Sequence, residues 1–221
     1  MPLPIWAKNI LFLLVYMISG LILAIIIEDL LSGTQLMPLN TALESGMVAI
    51  RTPLLTTLIV WVTRLANPFL FATGAVVLSG YLISRRDYYQ ATLFLTSLTV
   101  TTLSLTLLKN YLQIQRPVSD LYHVAGWSFP SGHATLATAF FFLLTYIFFN
   151  RVGSDRNRFL LIGVSVLGTL LTCFSRVYLG AHWTLDVIAG IALGLLSVSF
   201  TVLLFNLIFG DNPSLRKRLG L

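Results

Sequence analysis

Residues 10–27 read ILFLLVYMISGLILAIII, an uncharged run closed by Glu28 and Asp29. A helix that is apolar all round finds no face to turn toward water and belongs in a core or a bilayer. At 1.5 Å per residue the run spans about 27 Å, close to the ~30 Å hydrocarbon thickness of a membrane. It exceeds the roughly 7–15 residues of a signal-peptide core, and no small-residue cleavage site follows it. The stretch therefore reads as an uncleaved membrane anchor.

Working outward, five more runs have the same character: Phe69 to Ile83, Ala91 to Leu108, Ala134 to Phe149, Phe159 to Phe174 and Leu185 to Phe209. The composition agrees, with 57% hydrophobic and only 10% charged residues in 221, against about 45–50% and 25% in a soluble domain. That excludes a soluble enzyme, a disordered tail and a disulfide scaffold; the single cysteine, Cys173, has no partner in the chain. The segment Leu54 to Leu65 is apolar but broken by Thr and Arg, the pattern of a helix lying in the interface. The expected fold is an all-α six-transmembrane helical bundle with an extra interfacial helix between spans 1 and 2. No repeat or linker divides it, so residues 1–221 form one domain with a motif-bearing core at 91–210.

The net charge of +6 is not gathered into the basic patch that nucleic acid needs. With the N-terminus inside, Lys8, Arg85, Arg86, Arg151, Arg156, Arg158, Arg216, Lys217 and Arg218 fall on the cytoplasmic side. Arg51, Arg64, Lys109, Arg116 and Arg176 fall on the other. The excess of basic residues on cytoplasmic loops sets orientation, so both termini are expected in the cytoplasm of a plasma (inner) membrane. Arg51 and Arg64 read as interfacial.

The polar residues with chemistry in them collect at three span borders on the outer side. They are Lys109 with Arg116 and Pro117; Pro130, Ser131, Gly132 and His133; and Ser175 and Arg176 with His182 and Asp186. Three cations repel a metal dication, whose ligands must be neutral or anionic, but suit an oxyanion. Arginine presents a planar fork matched to phosphate oxygens and lysine adds a point charge. Ser131 and Gly132 open a helix, where backbone N–H groups and the helix dipole favour an anion. His182 and Asp186 stand four apart on a helix face, so the carboxylate can fix the imidazole tautomer and leave the other nitrogen free to attack. His133, from another helix, is the available general acid. Thr92, Thr96, Thr99, Thr102 and Thr106 step toward Lys109 as a hydroxyl stripe, and Gly190 and Gly194 continue the His182–Asp186 row as a small-residue packing face. Trp127 and Trp183 flank these borders and suit the membrane interface. His123 reads as a solvated loop residue.

The stretches KNYLQIQRP (109–117), PSGH (130–133) and SRVYLGAHWTLD (175–186) resemble the tripartite signature of the type 2 phosphatidic acid phosphatase (PAP2) superfamily at every fixed position. The resemblance implies a lipid phosphatase without cofactor or metal. In it His182 forms a phosphohistidine, Asp186 is its partner and His133 the acid, while Lys109, Arg116, Ser131, Gly132 and Arg176 hold the phosphate. Among small members of this superfamily the leading substrates are undecaprenyl diphosphate and phosphatidylglycerol phosphate. The related vanadium haloperoxidases are soluble, which six spans argue against. Two other classes stay open: a lipid-linked phosphotransferase using the same site, and a non-catalytic membrane lipid-binding protein. The expected partners are a lipid phosphate substrate and the bilayer, with no nucleic acid.

Overall fold

The computed structural model describes residues 4–32, 37–119, 121 and 125–210. His123 and the basic cluster Arg216, Lys217 and Arg218 lie outside them. Among the described residues all regular structure is helical: α1 Ile5–Ser32, α2 Met37–Ala49, α3 Pro53–Leu65, α4 Pro68–Ser84, α5 Tyr88–Leu112, α6 Gly132–Phe148, α7 Asp155–Tyr178 and α8 Thr184–Phe209. Five of the six apolar runs sit inside one helix each, and the run Ala134 to Phe149 overshoots α6 by its last residue, Phe149, which caps the helix. Asp87 starts α5, Ser131 starts α6 and Ser154 starts α7, each accepting a backbone N–H of the first turn with its side chain, which satisfies a donor the helix itself leaves orphaned.

Among the described residues four helices, α1, α5, α7 and α8, are long and apolar enough to cross a membrane, and these residues form a multi-pass, all-α membrane protein. Helix α6 is apolar but has 17 residues. The segment expected to be interfacial forms α3, which meets α4 at a 43° bend, and the two together also satisfy the length and composition of one broken span. Asn67 and Pro68 make the break: Asn67 accepts the Phe69 N–H, and proline has no N–H and disfavours helix in the residue before it. Helix α2 has no counterpart in the sequence reading, because Asn40, Thr41, Glu44 and Ser45 interrupt its hydropathy.

Helix α8 is the axis of the bundle, packed against α1, α5 and α6. Phe12, Leu23 and Ile26 of α1 turn inward, while Ile10, Leu14, Met17, Leu21 and Ile25 face outward; an outer surface of this kind is stable only in an apolar solvent. Near the end of the bundle away from the motif residues, Asn206 donates to Asn9 at 2.8 Å, joining α8 to α1. Phe94, Leu143, Val198 and Val202 fill the centre of the bundle.

The contact of α8 with α6 is backbone to backbone. A Cβ on Gly190 would lie 2.8 Å from the Ser131 carbonyl oxygen, and one on Gly194 would lie 2.8 Å from that of Thr135. Small residues allow such an approach, and it brings the start of α8 level with the start of α6. The threonine stripe behaves otherwise than expected. Thr99, Thr102 and Thr106 are exposed on the outside of α5, and Thr102 and Thr106 donate to carbonyls one turn back. The face of α5 that leads to Lys109 is instead Ser97, Thr101 and Leu105, all buried.

Gly194→Ala therefore forces α6 and α8 apart, a kind of overpacking that costs about 1–3 kcal/mol. Thermal melting of the purified protein in detergent is expected to show a clear drop for Gly194→Ala and none for Gly163→Ala, where the added carbon meets nothing. Equal melting of both variants contradicts the close contact.

Candidate active site

Four helix ends and two turns converge at one end of the bundle. Lys109 is in the last turn of α5, Ser131 caps α6 with Gly132 and His133 following, Arg176 is in the last turn of α7, and His182 lies in the turn before Asp186 of α8. Arg116 comes from the α5–α6 connection.

His182 is buried, and both ring nitrogens have partners. Nε2 lies 3.0 Å from Arg116 Nη1. Because a guanidinium only donates, Nε2 accepts and the ring proton sits on Nδ1. Nδ1 is 3.3 Å from Asp186 Oδ2 and 3.3 Å from Ser128 Oγ. Asp186 Oδ2 also accepts from the Ser128 hydroxyl and from the Trp183 N–H at 2.9 Å. One carboxylate thus starts α8 and orients the imidazole. Burial pushes the His182 pKa well below its ordinary 6.5, and the positive charges of Arg116, Arg176 and Lys109 push it the same way. The imidazole is consequently neutral, with an electron pair on Nε2.

The cations are firmly held. Arg116 donates to the carbonyls of Gly126 from Nε at 2.9 Å, Trp127 from Nη2 at 3.1 Å and Ala181 from Nη1 at 2.7 Å. Lys109 Nζ donates to Trp127 O at 2.7 Å and Ser128 O at 3.3 Å. These bonds tie the loop before α6 and the turn before α8 to the same two side chains. Arg176 is fully buried, and its Nη1 donates to Thr63 Oγ1 of α3 at 2.6 Å. His133 is half-buried, and the charged or ionisable groups acting on it are Arg176, His182, Arg116 and Lys109. Gly132 lies beside Lys109: a Cβ there would be 4.0 Å from the lysine Cε.

One expected donor, the Ser131 N–H, and one further hydroxyl, that of Ser175, are otherwise engaged. The Ser131 N–H donates to Asp186 O at 2.9 Å, joining α6 to α8, and its Oγ caps Ala134; Ser131 therefore builds the site through its cap and its backbone bond. Ser175 donates to Thr172 O of its own helix. Arg51, read as interfacial, donates to Tyr178 O from Nε at 3.1 Å and from Nη2 at 2.9 Å. With Ser119 on Leu179 O and Arg116 on Ala181 O, it satisfies carbonyls that the end of α7 leaves open.

Sequence reasoning missed Ser128, Thr63 and Asn40, whose Oδ1 accepts the Leu185 N–H in the first turn of α8 at 3.1 Å. All three are neutral and buried. Only Ser128 carried a signal, as the one polar side chain between Trp127 and the PSGH stretch. Among the described residues no three His, Cys, Asp or Glu side chains form a group able to hold a metal ion.

Comparison with known proteins shows the family. Residues 90–209 match the model of the PAP2 superfamily. Phosphatidylglycerophosphatase B of Bacillus subtilis (strain 168) is 30% identical over 161 residues, 71% of this chain and 78% of that one. The putative undecaprenyl-diphosphatase YbjG of Escherichia coli (strain K12) is 38% identical over 76 residues, 34% of each chain. Among solved structures, the transmembrane PAP2-type phosphatidylglycerolphosphate phosphatase from Bacillus subtilis superposes with a TM-score of 0.75 at 23% identity, covering 90% of this chain and 96% of that one. Aquifex aeolicus LpxE superposes with a TM-score of 0.61 at 22% identity, covering 74% and 94%. A family match over more than half the chain, on the helices that carry the converging cations and histidines, makes this multi-pass membrane protein a member of the PAP2 superfamily.

Proposed function

We propose that the protein is a six-span membrane lipid phosphatase, with α1, α4, α5, α6, α7 and α8 as spans and α3 at the interface. Its site faces outward and both termini are cytoplasmic. It removes phosphate from a lipid phosphate monoester or diphosphate. Phosphatidylglycerol phosphate is the first substrate to test, because the relative matched over most of both chains is named for it, and undecaprenyl diphosphate is the second.

The observation that carries this reading is the pair of bonds on His182, with Nδ1 against Asp186 and Nε2 facing the Arg116 guanidinium. Nε2 is the nucleophile, and it already points at a cation that attracts phosphate. When a phosphoryl oxygen arrives beside the held guanidinium, it takes over the Arg116 Nη1 hydrogen bond from Nε2 and uncovers the electron pair. Nε2 then bonds to phosphorus as the bond from phosphorus to the lipid oxygen breaks, and His133 gives that oxygen its proton. In the second half His133 takes a proton from water, the oxygen of which bonds to phosphorus while the P–N bond breaks, and phosphate leaves. Lys109, Arg116, Arg176 and the first turn of α6 at Gly132, which Ser131 caps, stabilise the charge that grows on the equatorial oxygens. Cations fixed in place supply the stabilisation a metal ion gives in other phosphatases.

Three outcomes follow from this reading. In buffer containing EDTA, substrate carrying radioactive phosphate labels the wild-type protein with an acid-labile phosphate; His182→Ala is expected to lose the label and Asp186→Asn to form it far more slowly. Full labelling of His182→Ala removes His182 as nucleophile. In a Cys173→Ser background, cysteines at Val118 and Gly153 are expected to react with an impermeant thiol reagent from opposite sides of the membrane, and reaction of both from one side overturns the span plan.

The third outcome concerns protonation. Since the folded pKa of His182 is lowered, the unfolded chain takes up its proton first as pH falls through 6.5, so this group lowers stability below that pH and is without effect well above it. Nitrogen NMR of histidine-labelled protein in nanodiscs is expected to find His182 as the neutral Nδ1–H tautomer at pH 6. An imidazolium signal for His182 at that pH refutes it.

A further inference from the structure

We infer that Thr63 of α3 is a positioning residue for the phosphate cage, holding the Arg176 guanidinium in the plane from which it meets phosphate. This rests on the reading of Arg176 as a phosphate ligand, but Thr63 itself lies outside residues 90–209, the part of the chain that carries the family match.

Thr63 is 1% exposed and Arg176 is not exposed at all. Their 2.6 Å bond runs from Arg176 Nη1 to Thr63 Oγ1, and the direction is fixed because arginine has no acceptor. Guanidinium is planar, so a bond at one terminal nitrogen sets the orientation of the whole fork, and the fork is useful to phosphate only in the right plane. Arg176 sits in the last turn of a helix whose backbone does not define that plane. A partner from elsewhere in the fold contributes to that, and Thr63 supplies such a bond at Nη1.

Helix α3 is itself anchored for the task. Thr56 Oγ1 lies 3.0 Å from the Tyr178 hydroxyl, Arg51 grips the Tyr178 carbonyl with two nitrogens, and Ile59 packs on Tyr178 and Leu179. Thr56, Ile59 and Thr63 lie on one face of α3, spaced by three and four residues. The first two reach the end of α7 and the third reaches back to Arg176. The part of the chain before residue 90 therefore contributes to the site through an oriented arginine.

The test uses the full-length purified protein, phosphatidylglycerol phosphate as substrate and inorganic phosphate as competing inhibitor. Thr63→Val keeps the side-chain shape and removes the acceptor, and Thr63→Ala removes the acceptor with less bulk. Both are expected to weaken inhibition by phosphate and to raise KM about tenfold, the scale of one hydrogen bond to a buried charge. Thr63→Ser restores the acceptor and is expected to return both values to wild type. In an Arg176→Lys background, Thr63→Val is expected to add nothing. A purely structural role for Thr63 would instead reduce the active fraction and kcat while phosphate inhibition stays at the wild-type level; that outcome overturns the inference. So does a Thr63→Val penalty of the same size with Arg176→Lys as without it. Full phosphate affinity in Arg176→Lys alone would overturn the reading of Arg176 as a ligand, and the inference with it.

Discussion

Holding three positive side chains together in a protein with very little other charge is the constraint on which the rest of the structure depends. Lys109, Arg116 and Arg176 stand within reach of one another's fields, and the one carboxylate among them, Asp186, is occupied with His182, Ser128 and Trp183. Removing charge from water costs several kcal/mol per ion, offset only by dense hydrogen bonding. The fold supplies it chiefly from backbone: carbonyls of Gly126, Trp127, Ser128 and Ala181 receive the Lys109 and Arg116 donors. An anion entering this cluster meets charges whose ordering cost was met during folding, which is the condition for electrostatic catalysis.

The same requirement accounts for the shape of the bundle. Helices α5, α6, α7 and α8 alternate in direction, so the C-terminal ends of α5 and α7 lie beside the N-terminal ends of α6 and α8. The positive dipole ends of α6 and α8 thereby face the site. Close contact between α6 and α8 at Gly190 and Gly194 keeps their starts level, and the bond from Ser131 N–H to Asp186 O locks them. The burden on the N-terminal half is different: α1 shields α8 from lipid along its length, and α2 and α3 fasten the turn between α7 and α8.

How much of this was legible beforehand depended on the kind of signal. Long apolar runs reveal membrane helices because the bilayer filters composition, and each of the six runs falls on one helix of the structure, with only Phe149 past the end of α6. Lys109, Arg116, His133, Arg176, His182 and Asp186 stood out because an ionisable side chain at a span border needs a reason. Helix α2 escaped because its polar residues hid its periodicity. Thr63, Ser128 and Asn40 escaped because a neutral hydroxyl or amide in an apolar sequence looks like packing, and their partners lie 113, 58 and 145 positions away. The threonines of α5 misled for the converse reason: the Thr102 and Thr106 hydroxyls are satisfied within their own helix, where they bond the preceding turn.

The loop before α6 is held by Lys109 and Arg116 through peptide oxygens, atoms that every amino acid carries. Its side chains at Ala125 and Trp127 point outward and are exposed. Anchorage thus falls to backbone atoms, and the side chains at these two positions are not needed for it. The rim of the site is free to diversify, from indole to aliphatic to charged, while the chemistry beneath it stays fixed. A loop fastened in this way tolerates changes of its surface side chains one at a time.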